Sequence, residues 1–322
     1  GFSFYLNYTS NGGEEMSVQS FLKLVEIQTK VASVIPFTLG SVFVYYRYGI
    51  FNLKNFIFMF ISLLTFDMTA TAINNYLDYK KAIKKKGYNY ETHNVIVRDN
   101  LQESKVVTII IMLLSTAIVF GLLLYLNTNN IVLVLGIVSF MTGILYSFGP
   151  IPISRMPLGE IFSGFFMGFI IVFLAVYIHI FQKVGFDLLL QGDLLKLTIN
   201  FKELLILFLI SVPTMNGIAN IMLANNICDI EDDIENKRYT LPIYIGRDSS
   251  LKLFRAIYYS TYIAVIVGVG LGILPFAALL VLGTLPFVNE KQTKKDTSVL
   301  AVKNFLVMNL VYIGTIAAGI IL

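Results

Sequence analysis

Two short stretches of the chain place side-chain oxygens at helical spacing: Ala72-Ile-Asn74-Asn75-Tyr-Leu-Asp78 and Leu223-Ala-Asn225-Asn226-Ile-Cys-Asp229. Both read Asn-Asn-x-x-Asp, and the second continues to Asp233. Residues four apart share a helix face, so Asn74 stands over Asp78, and Asn225 over Asp229 and Asp233. Carboxylates and amide carbonyls gathered in this way repel one another unless a cation sits among them. Mg²⁺ suits such donors, because it takes hard oxygen ligands, keeps several waters and is held by one or two carboxylates together with substrate phosphates. The spacing therefore predicts a Mg²⁺ site built from Asn74, Asp78, Asn225, Asp229 and Asp233, with a diphosphate as the third party. An EF-hand reading of Asp229 onward fails: the sixth position is not glycine, and Thr240 stands where a twelfth-position glutamate is needed. The neighbouring Glu231, Asp232 and Glu235 read equally well as solvated charges.

These residues must be held by helices in a bilayer. Of 322 residues, 56% are hydrophobic and 14% charged, whereas a soluble domain carries about 25% charged residues. The apolar residues fall in runs of membrane-spanning length: 24–46, 56–73, 106–126, 131–148, 158–180, 204–223, 254–271, 273–288 and 299–322. This predicts an all-α membrane protein of nine transmembrane helices. Gly268, Gly270, Gly272 and Pro275 supply the turn that divides the long run 254–288 into two. Lys23, Lys80, Lys81, Lys84, Lys85, Lys86, Arg98, Lys105, Arg155, Lys237, Arg238, Arg247, Lys252, Lys291, Lys294 and Lys295 all fall in one alternate set of connections. Only Arg47, Lys54, Lys183, Lys196 and Lys202 fall in the other. By the positive-inside rule the first set is cytoplasmic, with the amino terminus inside and the carboxyl terminus outside. Both acidic motifs then lie at the cytoplasmic face, separated by four spans, as a parallel duplication would place them.

Composition narrows the alternatives further. The single cysteine, Cys228, excludes an internal disulfide, and no Cys or His cluster suggests zinc or haem. A net charge of +4 follows from the loop cations, so no nucleic-acid partner is expected. Residues 1–15 are polar and set aside as a processed or added tail, leaving 16–322 as one transmembrane domain. A transporter is the main rival class, since parallel repeats and intramembrane polar residues also mark transport pathways. Against it, the polar residues gather at one face instead of the midplane.

At Asn74–Asp78, Gly149–Glu160 and Asn225–Asp233, followed by Lys237-Arg-Tyr-Thr-Leu241, the chain resembles the UbiA superfamily of intramembrane prenyltransferases. Within it, the 1,4-dihydroxy-2-naphthoate polyprenyltransferase branch is the most similar. Many members carry a second aspartate four residues after the first; here that position is Ala82, which fits the naphthoate branch better than the 4-hydroxybenzoate branch. Cys228 stands where the naphthoate branch often has arginine. The resemblance implies a UbiA-type bundle with a cytoplasm-facing cavity in a prokaryotic cell membrane. It implies Mg²⁺-dependent transfer of a polyprenyl group from polyprenyl diphosphate to the naphthoate, with loss of carbon dioxide from the substituted carbon, giving demethylmenaquinone. Catalysis would fall to Asp78, Asp229, Asp233 and Lys30. The diphosphate would be held by Asn74, Asn75, Asn225, Asn226, Lys81, Arg98, Arg155 and Lys237.

Two of these carry particular expectations. Lys30, read as two turns inside the first span, would hold the acceptor's carboxylate or snorkel to the headgroups, with Glu26 as a partner. Arg98 lies in the long connection 79–105, whose aromatic and polar mix could order as a lid. Asn216 and Asn220 either continue the polar wall of the cavity or bond between helices. His93 and His179 have no partner at metal spacing and read as structural.

Overall fold

Hydrocarbon offers no partners to backbone N–H and C=O groups, so apolar runs of this length satisfy themselves as helices. A computed structural model describes residues 16–81, 94–147, 153–288 and 297–321. The tail 1–15, most of the lysine-rich connection with His93, the start of the 149–160 stretch, and Lys291, Lys294 and Lys295 lie outside the described residues.

Among the described residues the long apolar helices are, in order, α1 (Val31–Tyr48), α2 (Leu53–Lys81), α3 (Glu103–Leu126), α4 (Asn130–Ser147), α5 (Gly159–Ile180), α6 (Phe201–Cys228), α7 (Arg247–Gly270), α8 (Phe276–Val288) and α9 (Thr297–Ile321). Seven are long and apolar enough to cross a membrane; α4 and α8 are shorter. Between α5 and α6 an antiparallel hairpin intervenes, β1 (Asp187–Gln191) with β2 (Leu194–Thr198), paired from Asp187↔Thr198 to Gln191↔Leu194. The turn expected after α7 is present: Gly272 adopts φ +67°, the N–H groups of Ile273 and Leu274 cap the Gly268 carbonyl, and Pro275 starts α8.

The first span starts later than its apolar run. Glu26 sits at φ +47° and separates a short helix, Val18–Leu24, from the turn Ile27–Lys30 that leads into α1. Lys30 is therefore about one turn inside the candidate span that begins at Ile27, and not two. Leu24 packs instead with Ala72, Val95, Ile96, Leu101 and Val106, a small core separate from the main one. This core fastens the segments 18–24 and 94–101 over the end of α2.

The main core lies among α1, α5, α6, α7 and α9. Helix α5 widens into a π-helix over Gly164–Ile170, where it meets α6 most closely. A Cβ on Gly168 would fall 2.4 Å from the Cα of Met215, and one on Gly164 would fall 2.8 Å from its carbonyl oxygen. Only glycine permits that approach, and the Thr214 hydroxyl uses it to donate to the Gly168 carbonyl at 2.9 Å. Asn216 and Asn220 donate to backbone carbonyls of α7 at Ile257 and Phe254, each at 3.0 Å. They bond between helices and do not wall the cavity.

Candidate functional site

Helices α2, α3, α4 and α5 enclose a cavity of about 450 Å³, touched by Met222 of α6. Along α2 it runs from Asn74 down to Met59, a rise of about 22 Å at ~1.5 Å per residue. Its walls are mostly aliphatic and aromatic, with Phe66 and Phe140 stacked at 3.9 Å between centroids. Toward Asn74 the wall turns polar, through Ser33, Asp67 and Thr71. Asp67 is the only charged residue in the described lining.

Behind that polar patch lies Lys30, which is 3% exposed. Its ammonium donates to Asp67 Oδ1 at 2.7 Å, to the Asp67 carbonyl at 3.2 Å and to Thr71 Oγ1 at 2.6 Å. Ser33 donates to the other carboxylate oxygen at 2.6 Å. The expected Glu26 partnership is replaced: Glu26 accepts from Asn75 at 3.3 Å, and Asn75 also donates to the Leu24 carbonyl at 2.9 Å.

The second motif ends α6 with a bend at Asp229, after which a short helix, Ile230–Glu235, begins. Across the bend the backbone keeps its helical bonds, the Asp229 N–H donating to the Asn225 carbonyl at 3.0 Å and the Asp233 N–H to the Asp229 carbonyl at 2.7 Å. Asn225 accepts from Ser298 of α9 at 2.5 Å. Asn226 is buried and donates to Glu160 of α5 at 2.8 Å. Asp233 is buried, ion-paired with Arg238 at 3.3 Å and bonded by the Thr240 hydroxyl at 3.1 Å. Asp229 remains exposed. Partial burial, then the Asp233 and Asp232 carboxylates beside it, push its carboxyl above the usual range, with Arg238 opposing.

Of the first motif, Asn74 lines the cavity, and Asp78 is exposed one turn beyond it. Lys81 ends α2. Arg155 and Lys237 are exposed and brought into one neighbourhood, because the Tyr239 N–H donates to the Arg155 carbonyl at 3.0 Å and Arg238 donates to the Ser154 carbonyl at 3.3 Å. Arg98 pairs with Asp99 at 2.7 Å, which also receives Ser20 at 2.6 Å. Those contacts draw the Asp99 carboxyl down to about 2, the guanidinium being the chief cause. Among the described residues no three His, Cys, Asp or Glu side chains form a metal cage on their own.

Asp67, Ser33 and Thr71 line the cavity and are absent from the motif-based set, whereas Glu160 and Arg238 fall within the matched stretches without an expected role. One signal for Asp67 was available: it is the only charged residue in the apolar run 56–73, and an ionisable residue inside a span is a functional candidate by default.

An apolar groove with a polar mouth at Asn74, in a bundle whose long helices are apolar enough to cross a membrane, defines an integral membrane protein suited to a lipid-like substrate. The chain matches the UbiA prenyltransferase family over residues 33–311 and belongs to that family. It is 28% identical over 253 residues, covering 79% of this chain and 74% of the other, to the 1,4-dihydroxy-2-naphthoate octaprenyltransferase of Bacillus subtilis (strain 168). Its fold matches the apo structure of a UbiA homolog from Aeropyrum pernix K1, with TM-score 0.64, 19% identity, and 92% and 98% of the two chains covered. It also matches a UbiA homolog from Archaeoglobus fulgidus bound to DMAPP and Mg²⁺, with TM-score 0.60, 14% identity, and 94% and 99% covered. The protein is a prenyltransferase.

Proposed function

We propose that this enzyme transfers a polyprenyl group from its diphosphate to 1,4-dihydroxy-2-naphthoate, with decarboxylation to demethylmenaquinone, at a Mg²⁺ site on the cytoplasmic face. The observation that carries the prenyl half is the cavity itself, an apolar groove about 22 Å long that begins at Asn74, one turn from Asp78. A hydrocarbon chain fills it while its diphosphate stays at the polar mouth. The naphthoate rests on the Bacillus subtilis relative and on Ala82, which leaves the first motif as Asn-x-x-x-Asp. All nine apolar helices cross the bilayer in this reading. Helix α4 rises about 27 Å, and α8, nine residues of it 3₁₀ with ~2.0 Å rise each, about 24 Å, close to the ~30 Å of a hydrocarbon core.

The donor set fits Mg²⁺ shared with substrate. Asp229, with two further carboxylates beside it, carries negative charge that Arg238 alone does not offset. Since no protein-only cage forms among the described residues, the ion would be held by Asp78 and Asp229 together with diphosphate oxygens and water. Bound there, it would take up charge on the departing diphosphate. Arg155 and Lys237, exposed beside the second motif, approach the same anion. Arg238 is committed to Asp233 and fixes the loop that presents them. The apolar cavity wall, with Phe66, Phe140, Tyr146, Phe162 and Phe166 in its lining, would exclude water from an allylic cation and offer it aromatic rings.

Incubation of the purified protein with geranylgeranyl diphosphate, Mg²⁺ and either dihydroxynaphthoate or 4-hydroxybenzoate tests this. Prenylated, decarboxylated product from the naphthoate alone is expected. Product from 4-hydroxybenzoate instead would move the enzyme to another acceptor, and transport without diphosphate release would replace it with a carrier.

A further inference from the structure

The motifs account for the diphosphate end of the cavity and leave its one charged wall residue without a task. Asp67 lies seven residues before Asn74 on α2, about 10 Å deeper. Lys30 is the basic residue the sequence offers to an acceptor's carboxylate, but all three of its N–H groups are already spent, on Asp67 Oδ1, the Asp67 carbonyl and Thr71. It is also absent from the cavity wall, whereas Asp67, Ser33 and Thr71 line it. Substrate therefore meets the carboxylate and not the lysine behind it. Among the described residues each carboxylate oxygen receives one hydrogen bond, Oδ1 from Lys30 and Oδ2 from Ser33, which leaves each an open lone pair there. A side chain so placed accepts hydrogen bonds and repels anions, so its match is a neutral donor such as a ring hydroxyl.

We propose that Asp67 is the acceptor-recognition residue: its carboxylate, oriented by Lys30 and Ser33, accepts a hydrogen bond from a hydroxyl of the aromatic acceptor. This sets the ring beside the reacting end of the prenyl chain. It also selects hydroxylated aromatics, because an acceptor without the hydroxyl leaves a buried charge unsatisfied. The inference rests on the acceptor reading above and deepens it.

The test compares wild type with Asp67→Asn, and with the pair Lys30→Met/Asp67→Leu, in which both charges are removed so that neither is left buried alone. Equilibrium dialysis reads binding of 1,4-dihydroxy-2-naphthoate against 2-naphthoate, and steady-state kinetics read the two KM values separately. Wild type is expected to favour the hydroxylated ligand by about tenfold or more. Both variants should lose that preference and raise the acceptor KM by a similar factor, with the prenyl diphosphate KM within about twofold of wild type. Retained discrimination in a folded variant, or a rise confined to the prenyl diphosphate KM, would overturn the proposal. If wild type uses 4-hydroxybenzoate, the naphthoate reading fails by itself, and the Asp67 comparison is read with 4-hydroxybenzoate against benzoate.

Discussion

Asp78 and Asp229 carry the same physical burden from opposite halves of the chain: each is an exposed carboxylate at the end of a long apolar helix. Neither belongs to the buried residues, so Asp78→Ala and Asp229→Ala are expected to lower turnover by about a hundredfold or more while thermal unfolding in detergent stays near wild type. Near-normal activity in both would remove the metal site. Asn226 predicts the reverse pattern. It is buried, and among the described residues its amide donates a hydrogen bond to Glu160, whose second carboxylate oxygen has none there. Asn226→Ala is therefore expected to cost about 1–3 kcal/mol of stability, with the prenyl diphosphate KM unchanged in protein that remains folded. The sequence showed these residues as a repeated motif but could not show which way each points. Neighbouring asparagines on a helix face about 100° apart, and what α5 and α9 present to them is set by packing.

At the scale of elements, apolar length located the long apolar helices among the described residues, because in a bilayer hydrophobic runs and backbone self-satisfaction lead to the same answer; it did not find short helices such as Val18–Leu24 and Ile230–Glu235. What length could not reveal were local departures: the break at Glu26, the π-helix in α5, and the hairpin between α5 and α6. Each answers to a close approach or a turn instead of to hydropathy. Gly136, which lines the cavity, would set a Cβ in open space. Gly136→Leu should fold normally yet narrow the groove, lowering kcat/KM for a long prenyl diphosphate about tenfold and sparing geranyl diphosphate. The cap of segments 18–24 and 94–101 gives a pH prediction. Asp99 is drawn down from 3.8 to about 2 in the folded protein by Arg98 and Ser20. Its stabilising contribution is thus complete above about pH 4 and is lost as pH falls toward 2. Pepsin digestion at graded pH should begin at this cap in that window. Cleavage there that is no faster at pH 2 than at pH 4 would show that the ion pair does not hold it.

For the molecule as a whole, orientation is the property on which the proposed cytoplasmic site depends, and the distribution of Lys and Arg favours it. The chain carries its own reporter. Cys228 is the single cysteine, half-buried at the end of α6 beside the second motif, while the turn residue Asp193 is exposed in the hairpin at the other end of that helix. If the motif end faces the cytoplasm, a membrane-impermeant maleimide should label Cys228 in inside-out vesicles and spare it in intact cells. A Cys228→Ser chain carrying Asp193→Cys should give the opposite result. Bound prenyl diphosphate and Mg²⁺ should slow the reaction of Cys228 and leave the hairpin cysteine unaffected, because only Cys228 adjoins Asp229 of the second motif. Labelling of Cys228 from outside the cell would invert the bundle, and the diphosphate would then have to arrive from the face opposite the one the lysines mark.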